Sequence, residues 1–252
     1  MEKITVILPT YNEKENICEL IDILQKDIFP QIKNYIMSIL VVDDNSPDGT
    51  AQLVRNYMKK YKNLEITVDE KKGLGIAYKR GVEYAINKMN ADLVIKMDSD
   101  FQHNPKYIID LIKKRDEGYN YVVGSRFCKG GSLPRDSSLF RRFLSKYGGL
   151  VTRIILFYPK INIISDVSSG LTLANVKNVL SKIDFSNVSS GFYYTTQMLY
   201  QVVKLEMEIG EIPIEFGIRT KGKTKMPFSN IPKTLITMIA LRLSSNKLKQ
   251  RL

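Results

Sequence analysis

Short apolar runs alternate with amphipathic stretches along the first half of this chain. The apolar runs lie at 4–8, 38–42, 64–68, 93–97 and 121–123, and runs of this length are typical of strands buried on both faces of a sheet. Between them, apolar residues recur every three or four positions, which indicates helices with one buried face. The alternation predicts an α/β fold, with a mostly parallel sheet and helices on both faces.

The regular alternation ends near residue 130, and beyond it we predict loops and amphipathic segments. One amphipathic segment spans 147–158, and a second spans 228–243. We therefore expect a globular domain at 1–226, followed by a basic amphipathic C-terminal tail at 227–252 that lies at a membrane interface.

Positive charge is concentrated at the C-terminal end. The 252 residues carry a net charge of +12, with an apolar fraction of 44% that is ordinary for a globular protein. No acidic residue follows Glu215, whereas nine basic residues do: Arg219, Lys221, Lys223, Lys225, Lys233, Arg242, Lys247, Lys249 and Arg251. This asymmetry indicates a polyanionic partner, such as nucleic acid, an anionic membrane surface or a phosphorylated substrate.

Cysteine and histidine usage excludes several classes of site. Cys18 and Cys128 have neither metal-site spacing nor a disulfide framework, which indicates a reducing compartment. His103 is the only histidine, so histidine-rich metal sites are excluded and serine–histidine catalysis is disfavoured. The chain opens directly into a strand, so we expect no signal peptide, and no apolar run reaches the roughly 18 residues of a transmembrane helix.

Oxygen-bearing side chains follow the apolar run at 93–97. Asp98, Asp100 and Gln102 are spaced by two, and alternate side chains of an extended segment share one face. Oxygen ligands suit Mg²⁺ or Mn²⁺, which usually keeps waters and takes further ligands from a substrate diphosphate. An Asp-x-Asp pair alone is also common in turns and helix caps.

The ends of the preceding strands carry matching chemistry. Pro9 and Tyr11 are suited to enclose a base or ribose, and Asp44 to accept a hydrogen bond from a ring N–H. The glycine-containing segment Gly73 to Ala77 would let a ligand approach the backbone closely. Because ligands of open α/β sheets bind beyond the carboxyl ends of the strands, these groups together indicate a nucleotide diphosphate site.

Five segments resemble the dolichyl-phosphate mannose synthases, which are inverting glycosyltransferases of family 2 with the GT-A (Rossmann-like) fold. The matching segments are Leu-Pro-Thr-Tyr-Asn-Glu-Lys-Glu-Asn (8–16), Asp-Asp-Asn-Ser-Pro-Asp-Gly-Thr (43–50), Leu-Gly-Ile-Ala-Tyr (74–78), Asp-Ser-Asp-Phe-Gln-His-Asn-Pro (98–105) and Gly-Ser-Arg-Phe (124–127). The resemblance continues more weakly through 164–170, 191–193 and 209–216.

The resemblance implies transfer of mannose from GDP-mannose to dolichyl or another polyprenyl phosphate, with Mg²⁺ or Mn²⁺ as cofactor. It implies a donor half at about 1–127 and an acceptor half at about 128–226. The implied nucleotide-sugar contacts are Pro9, Tyr11, Glu13, Asp44, Gly75, Ala77, Asp98, Ser99, Asp100 and Gln102. The implied metal ligands are Asp98, Asp100 and Gln102. The implied acceptor-phosphate contacts are Ser125, Arg126, Arg141, Arg219 and Lys225, with Asp100, Arg126 and Arg219 as catalytic residues.

A phosphate acceptor changes the chemistry that the site must supply. Its oxygens are ionised near pH 7, so they can attack the anomeric carbon without a general base. Positioning and charge neutralisation are needed instead, and arginine supplies both. Asp166 stays open as either an acceptor-aligned carboxylate or a structural loop residue.

Departures from the family pattern fall in the acceptor half and leave the donor motifs intact. Where many members have Ser-Gly-Phe-Arg, this chain has Ser-Gly-Leu-Thr at 169–172, and Thr195, Gln197 and the 222–225 segment also differ. Glucose or another sugar from a UDP donor is therefore the first alternative.

A lipid acceptor also requires access to a membrane. We expect a peripheral protein at the cytoplasmic face, held by the tail and an anionic surface or by a small membrane-anchoring partner. A basic nucleic-acid-binding module is a second alternative, but no aromatic-interleaved or recognition-helix pattern accompanies the tail charges. An inactive scaffold would not need the paired aspartates that this chain has.

Overall fold

The computed structural model describes most of the chain: residues 1–134, 139–157, 159–186, 189–191, 193–218 and 235–243. For 139–146 and 159–160 only the backbone is described. Seven strands and six helices make up the described fold, together with short 3-10 and π segments and a further helix at 235–243.

The strands are short, and most of their residues are buried. In chain order they are β1 (Glu2–Thr10), β2 (Tyr35–Asp43), β3 (Leu64–Val68), β4 (Leu93–Lys96), β5 (Tyr121–Ser125), β6 (Thr172–Asn175) and β7 (Ile209–Pro213). Every residue of β4, β5 and β6 is buried. Burial on both faces explains why the runs at 93–97 and 121–123 do not alternate regularly between apolar and polar residues.

The helices connect consecutive strands for most of the chain. They are α1 (Ile17–Ile23), α2 (Thr50–Met58), α3 (Leu74–Asn87), α4 (Tyr107–Asp116), α5 (Leu139–Leu156) and α6 (Tyr194–Lys204). A π segment, Leu24–Ile28, and a 3-10 turn, Phe29–Gln31, extend α1 toward β2. Pro30, which lacks a backbone N–H, lies within this 3-10 turn, where the helical segment ends.

All strands form one sheet in the order β3-β2-β1-β4-β6-β5-β7. Strand β1 is central and pairs in parallel with β2 and β4, with Val6 opposite Ile39 on one side and Ile95 on the other. Only β6 is antiparallel to its neighbours, β4 and β5. The prediction of a mostly parallel sheet is confirmed.

Two hydrophobic cores cover the two faces of this sheet. In β1, Ile4, Val6 and Leu8 face one core, which α1, α2 and α4 cover. Ile7 of the same strand faces the other core, which α3, α5 and α6 cover. Helices on both faces were predicted, and this prediction is also confirmed.

The structure adds two strands that the apolar pattern did not predict. Strand β6 has only four residues, Thr-Leu-Ala-Asn, and β7 contains a glycine and a proline. Neither sequence has the run of large apolar residues that marks a buried strand. Both strands lie in the part of the chain for which we predicted loops and amphipathic segments.

The C-terminal tail is described only at 235–243, where it is helical. Met238 is buried there, whereas Ile236, Ile239 and Leu243 are exposed. Apolar side chains thus lie on both sides of this helix, so the predicted amphipathic pattern, with one apolar stripe at a membrane interface, is not clearly present in it. The rest of 227–252 lies outside the described residues, and among the described helices none is both long and apolar enough to cross a membrane.

One buried charge stands out in the sheet. Lys96, the last residue of β4, is 3% exposed. Its ammonium has no hydrogen-bond partner among the described residues and lies 5.3 Å and 4.9 Å from the ring centres of Tyr78 and Tyr194. Burial lowers the pKa of Lys96 from 10.5 to about 8, although the nearby Asp98 charge opposes this shift.

We predict that Lys96→Met increases the free energy of unfolding by about 3 kcal/mol at pH 7, because the native lysine is desolvated while charged. The folded pKa lies below the unfolded one, so the wild type loses stability as pH falls from about 10.5 to about 8. The advantage of Lys96→Met should therefore shrink as pH rises through this window. Urea unfolding at several pH values measures it.

The exposed Lys113 provides the control, since its charge costs no desolvation. Lys113→Met should leave stability within about 0.5 kcal/mol of the wild type at every pH. A Lys96→Met variant that is less stable than the wild type at pH 7 would contradict the prediction.

Candidate active site

Asp98 lies directly beyond β4, at the edge of the sheet where the parallel strands end. The Tyr78 hydroxyl of α3 donates a hydrogen bond to Asp98 Oδ1 at 2.9 Å. Oδ2 faces Gly170 so closely that a Cβ on that glycine would lie 2.9 Å from it. Asp98 is thus oriented by α3 and by the segment before β6, and its side chain stays 31% exposed.

The next residues of this motif turn sharply. Phe101 has a φ of 63°, which lets the backbone N–H of Gln102 donate to Asp100 Oδ1 at 3.1 Å. Gln102 is also tied to the segment after β7, because its carbonyl accepts from the Gly217 N–H at 2.7 Å. Ser99 donates through Oγ to the Pro9 carbonyl at 2.9 Å. The turn therefore places Asp98, Asp100 and Gln102 in one short segment linked to β1 and to the 214–218 segment.

The donor set of this segment fits a hard divalent cation. It offers two carboxylates and an amide oxygen, the ligand types that Mg²⁺ and Mn²⁺ prefer. Within the described residues, no three His, Cys, Asp or Glu side chains form a ready-made metal cage. That such a cation takes further ligands from a substrate diphosphate stays a prediction.

His103 packs directly behind the motif. It is 2% exposed, and its Nδ1 lies 3.6 Å from Asp98 Oδ2. Its ring meets that of Phe216 edge-on at 5.1 Å. Burial lowers the pKa of His103 despite the neighbouring aspartates, so the ring is neutral near pH 7 and supports Asp98 by packing.

At the end of β2, the two neighbouring aspartates have different roles. Asp43 is fully buried and accepts hydrogen bonds from Thr10 Oγ1 and from the N–H and hydroxyl of Ser46. Asp44 Oδ1 instead accepts from Arg80 Nη2 at 3.2 Å, and Oδ2 has no partner among the described residues. Of the two, Asp44 has the smaller set of hydrogen bonds among the described residues, and its contact with a base stays a prediction.

The other predicted nucleotide residues lie around Asp44. Tyr11 is half-buried, and the Lys71 ammonium sits 3.5 Å from the centre of its ring. Glu13 is buried and accepts from the Asn16 side chain at 2.8 Å, which ties it to the start of α1. Ligand contacts by Pro9, Tyr11 and Glu13 stay predictions.

The structure gives a different reason for the glycine at 75. A Cβ there would lie 1.8 Å from the Ser189 carbonyl oxygen, and the Gly75 N–H donates to the Ser190 carbonyl at 3.2 Å. The space that we expected a ligand to use is filled by the chain itself. Ala77 is 2% exposed in the core. Close backbone approach explains the small residues, and contact of Gly75 and Ala77 with a nucleotide stays a prediction.

Arg126, just beyond β5, is held by a buried carboxylate. Its Nε and Nη2 donate to Asp166 at 2.6 Å and 2.8 Å, and Nη2 also donates to Ser168. Burial opposes ionisation of Asp166, but the charge and hydrogen bonds of Arg126 hold the pKa of the carboxyl below its usual range. Arg126 Nη1 has no partner among the described residues.

This pairing resolves the two hypotheses for Asp166 in favour of a structural role. An ionised carboxylate with both oxygens engaged by an arginine is a counterion rather than a proton acceptor. The loop that carries it is fixed in turn by Glu211 of β7, whose carboxylate accepts from the N–H groups of Ser165 and Asp166. Arg153 of α5 donates to the carbonyls of Ile164 and Ser165. Glu211 lies in the weakly matching 209–216 segment, but no role was predicted for it, and no motif suggested Arg153.

The remaining predicted acceptor residues are only partly described. Ser125 is fully buried, and its hydroxyl accepts from the N–H groups of Phe127 and Cys128. This placement argues against direct contact of Ser125 with a phosphate. Arg141 lies in α5, where side chains at 139–146 are not described, and Arg219 and Lys225 lie outside the described residues.

We predict that Asp166→Asn lowers the free energy of unfolding by about 3 kcal/mol at neutral pH, because it leaves the guanidinium of Arg126 buried without its counterion. The folded carboxyl titrates below 3.8, so its contribution is present above that pH and is lost only as pH falls below it. Chemical denaturation at pH 7 and at pH 3 measures the difference.

Asp110, whose exposed carboxylate lies 3.8 Å from the exposed Lys113, is the matched control. Asp110→Asn should change stability by less than about 1 kcal/mol. Equal effects of the two substitutions would show that the pair of Arg126 and Asp166 contributes no more than a surface pair.

Comparison with known proteins finds relatives that match most of this chain. The chain is 35% identical over 224 residues to the dolichol-phosphate mannosyltransferase of Pyrococcus furiosus, covering 89% of this chain and 59% of that protein. It thus spans somewhat over half the length of that relative. It is 31% identical over 237 residues to the polyprenol monophosphomannose synthase of Mycolicibacterium smegmatis, covering 93% of this chain and 84% of that protein.

Solved structures share the fold at low identity. Mannosyl-3-phosphoglycerate synthase from Rubrobacter xylanophilus superposes with a TM-score of 0.69 at 18% identity, covering 100% of this chain and 76% of that one. Glucosyl-3-phosphoglycerate synthase from Mycobacterium tuberculosis, solved with Mn²⁺ and uridine diphosphate, superposes with a TM-score of 0.65 at 18% identity. The match covers 96% of this chain and 79% of that one. The family model described as glycosyl transferase family 2 matches residues 5–169, so this chain belongs to glycosyl transferase family 2.

Proposed function

We propose that this chain transfers mannose from GDP-mannose to dolichyl or another polyprenyl phosphate. The observation that carries the proposal is the carboxylate pair Asp98 and Asp100, placed beyond a strand end in a chain whose relatives are named for this transfer. Asp44, just beyond β2, would accept a hydrogen bond from the base. The residues for the base and those for the diphosphate of a nucleotide sugar therefore lie along one edge of the sheet.

Asp98, Asp100 and Gln102 would hold Mg²⁺ or Mn²⁺ together with the donor diphosphate. When bound, the ion would neutralise charge that develops on the departing nucleotide. The protein's own part is orientation: Tyr78 fixes Asp98, and the backbone N–H of Gln102 fixes Asp100. Both carboxylates are thus held before any ligand arrives.

The acceptor phosphate would approach from the side that carries Arg126, opposite the donor diphosphate. Its oxygens need no general base, and Asp166 is engaged as the counterion of Arg126. Arg126 Nη1, Arg141, Arg219 and Lys225 are our candidates to neutralise the phosphate. A cleft of about 470 Å³ opens beside Gln102, between the 132–134 and 215–218 segments, and Arg219 follows this segment in the chain.

A membrane surface fits the exposed apolar side chains of two neighbouring helices. Helix α5 presents one stripe of them, and the 235–243 helix presents another: Tyr147, Leu150, Val151, Ile154 and Phe157, then Ile236, Ile239 and Leu243. Thr152 contacts Met238 at 3.8 Å, and the Arg242 guanidinium lies 6.0 Å from the Phe157 ring. We call these two stripes the apolar face, and we propose that it rests on an anionic membrane.

Unpaired Cys18 and Cys128 fit a reducing compartment, which favours the cytoplasmic side of that membrane. A small membrane-anchoring protein that covers the same apolar face is the alternative. The basic residues at 219–251 would add electrostatic attraction to anionic lipid in either case.

We predict that the purified protein, incubated with Mg²⁺ or Mn²⁺, GDP-mannose and a polyprenyl phosphate, forms the mannosyl phospholipid. Asp100→Ala should lower kcat at least about 1,000-fold, because the diphosphate loses its metal-bound neutralisation. Radiolabelled sugar transfer into organic solvent measures both.

Asp110→Ala, on the exposed face of α4, should keep wild-type activity in the same assay. UDP-glucose serves as the competing donor. Faster transfer from UDP-glucose than from GDP-mannose would replace the proposed donor with the alternative one, and wild-type activity of Asp100→Ala would remove the proposed metal site.

We predict that Ile154→Glu combined with Ile239→Glu lowers binding to vesicles containing about 30% anionic lipid at least tenfold, because two charges would have to enter the apolar layer of the interface. The two positions are 64% and 49% exposed, so folding should tolerate the change. Co-sedimentation with vesicles measures the binding.

Ile36→Glu is the control, since Ile36 is 48% exposed near the start of β2, outside the apolar face. It should bind vesicles as the wild type does. Unchanged binding of the double variant would rule out the apolar face as the membrane contact.

A further inference from the structure

Arg80 links the ends of two strands beside the proposed nucleotide pocket. It lies on α3, and its side chain is 16% exposed. Its Nη2 donates to the Asp43 carbonyl at 2.9 Å and to Asp44 Oδ1 at 3.2 Å. Its Nη1 lies 3.4 Å from Asp69 Oδ2, just beyond β3. One guanidinium therefore hydrogen-bonds Asp44 and lies at ion-pair distance from Asp69.

The consequence for Asp44 is a fixed orientation. Because Oδ1 is held by Arg80, the carboxylate cannot rotate without breaking that bond, and Oδ2 stays directed away from Arg80. Burial raises the pKa of Asp44, while the positive charge of Arg80 opposes the rise. Arg80 thus favours the ionised form, which has only acceptor character.

An ionised Asp44 distinguishes bases by their ring nitrogens. Guanine carries an N1–H and uracil an N3–H, and either can donate to Oδ2. Adenine and cytosine carry a lone pair at the corresponding nitrogen, which a carboxylate repels. A buried acceptor that is left unpaired costs far more than the loss of one contact, so such a site discriminates strongly.

We propose that Arg80 is a positioning residue for nucleobase selection: it fixes Asp44 so that Oδ2 accepts a ring N–H, which restricts the donor to guanine or uracil nucleotides. This inference rests on the proposed function, because it assumes that the strand edge binds a nucleotide sugar.

Charge gives Arg80 a second task. Asp44 and Asp69 together would repel the diphosphate of an incoming nucleotide. Arg80 lies within 3.4 Å of both carboxylates and lowers the net charge of the three groups to −1. Loss of the guanidinium should therefore weaken nucleotide binding as well as base selection.

The test is calorimetric titration of GDP, UDP and ADP, each with Mg²⁺, into the wild type, Arg80→Met, Arg80→Lys and Lys79→Met. The wild type should bind GDP or UDP about 100-fold more tightly than ADP. Arg80→Met should weaken the preferred nucleotide about tenfold or more and reduce its preference over ADP to a few-fold. Arg80→Lys should recover part of the affinity, because it restores the charge without the two-armed geometry.

Lys79, the neighbour of Arg80 on α3, forms an ion pair with Glu83 at 3.9 Å and is the matched control. Lys79→Met should behave as the wild type. In turnover with the nucleotide sugar, Arg80→Met should raise KM for the donor while kcat stays within about threefold, since Arg80 does not touch the reacting atoms. If circular dichroism shows that Arg80→Met is unfolded, the same nucleotide titrations are made with Asp44→Asn. Its amide can donate to adenine, so the preference over ADP should also fall.

The inference is overturned if Arg80→Met keeps the wild-type preference, or if it weakens all three nucleotides equally. Tighter binding of UDP than of GDP by the wild type would remove GDP-mannose as the donor while leaving the role of Arg80 intact. A wild type that binds no nucleoside diphosphate would overturn both the proposed function and this inference.

Discussion

Parallel pairing of β1 with both of its neighbours is the constraint on which the rest of the structure depends. Because β1, β2 and β4 run in the same direction, Thr10, Asp43 and the motif after Lys96 all emerge at one edge of the sheet. Both faces of these strands are covered by helices, so most polar chemistry is excluded from their interiors. The strand ends are where polar side chains can meet a ligand, and the predicted donor residues lie there.

The sequence predicted this part of the fold because its signals are local. Each of the first five strands is a short apolar run followed at once by turn chemistry, and each intervening helix has one apolar face. Strands β6 and β7 lack such signals: β6 has four residues, and β7 includes Gly210 and Pro213. Both are strands because they complete the sheet beside β5, which is a tertiary effect.

The candidate site divides in the same way. Asp98, Asp100 and Gln102 were found because their spacing and their strand are contiguous in sequence. Their supports were not found, because each comes from a distant segment. Arg80 is 36 residues from Asp44, and Glu211 is 46 residues from Ser165. Close approach to the backbone of Gly73 to Ala77 was expected from the sequence, but the group that approaches Gly75 is the backbone of Ser189, which no local pattern reveals.

The charged groups around the strand ends illustrate two ways of burying charge. Arg126 donates to Asp166 through both Nε and Nη2, so most of the cost of desolvation is offset within the protein. Arg80 is paired less completely, since its hydrogen bonds to Asp44 and to the Asp43 carbonyl both come from Nη2. The desolvation of the Lys96 ammonium is offset less completely, by two aromatic faces and a nearby aspartate, so its burial still lowers the stability of the fold. All of these groups border the edge where phosphates would bind. Arginines already held by carboxylates lose little conformational freedom when an anionic substrate arrives, and they need not reorganise as charge moves. Burying these charges lowers the stability of the fold but holds the charged side chains rigidly in place. The transfer that we propose, between two phosphate-bearing substrates, requires such rigidity.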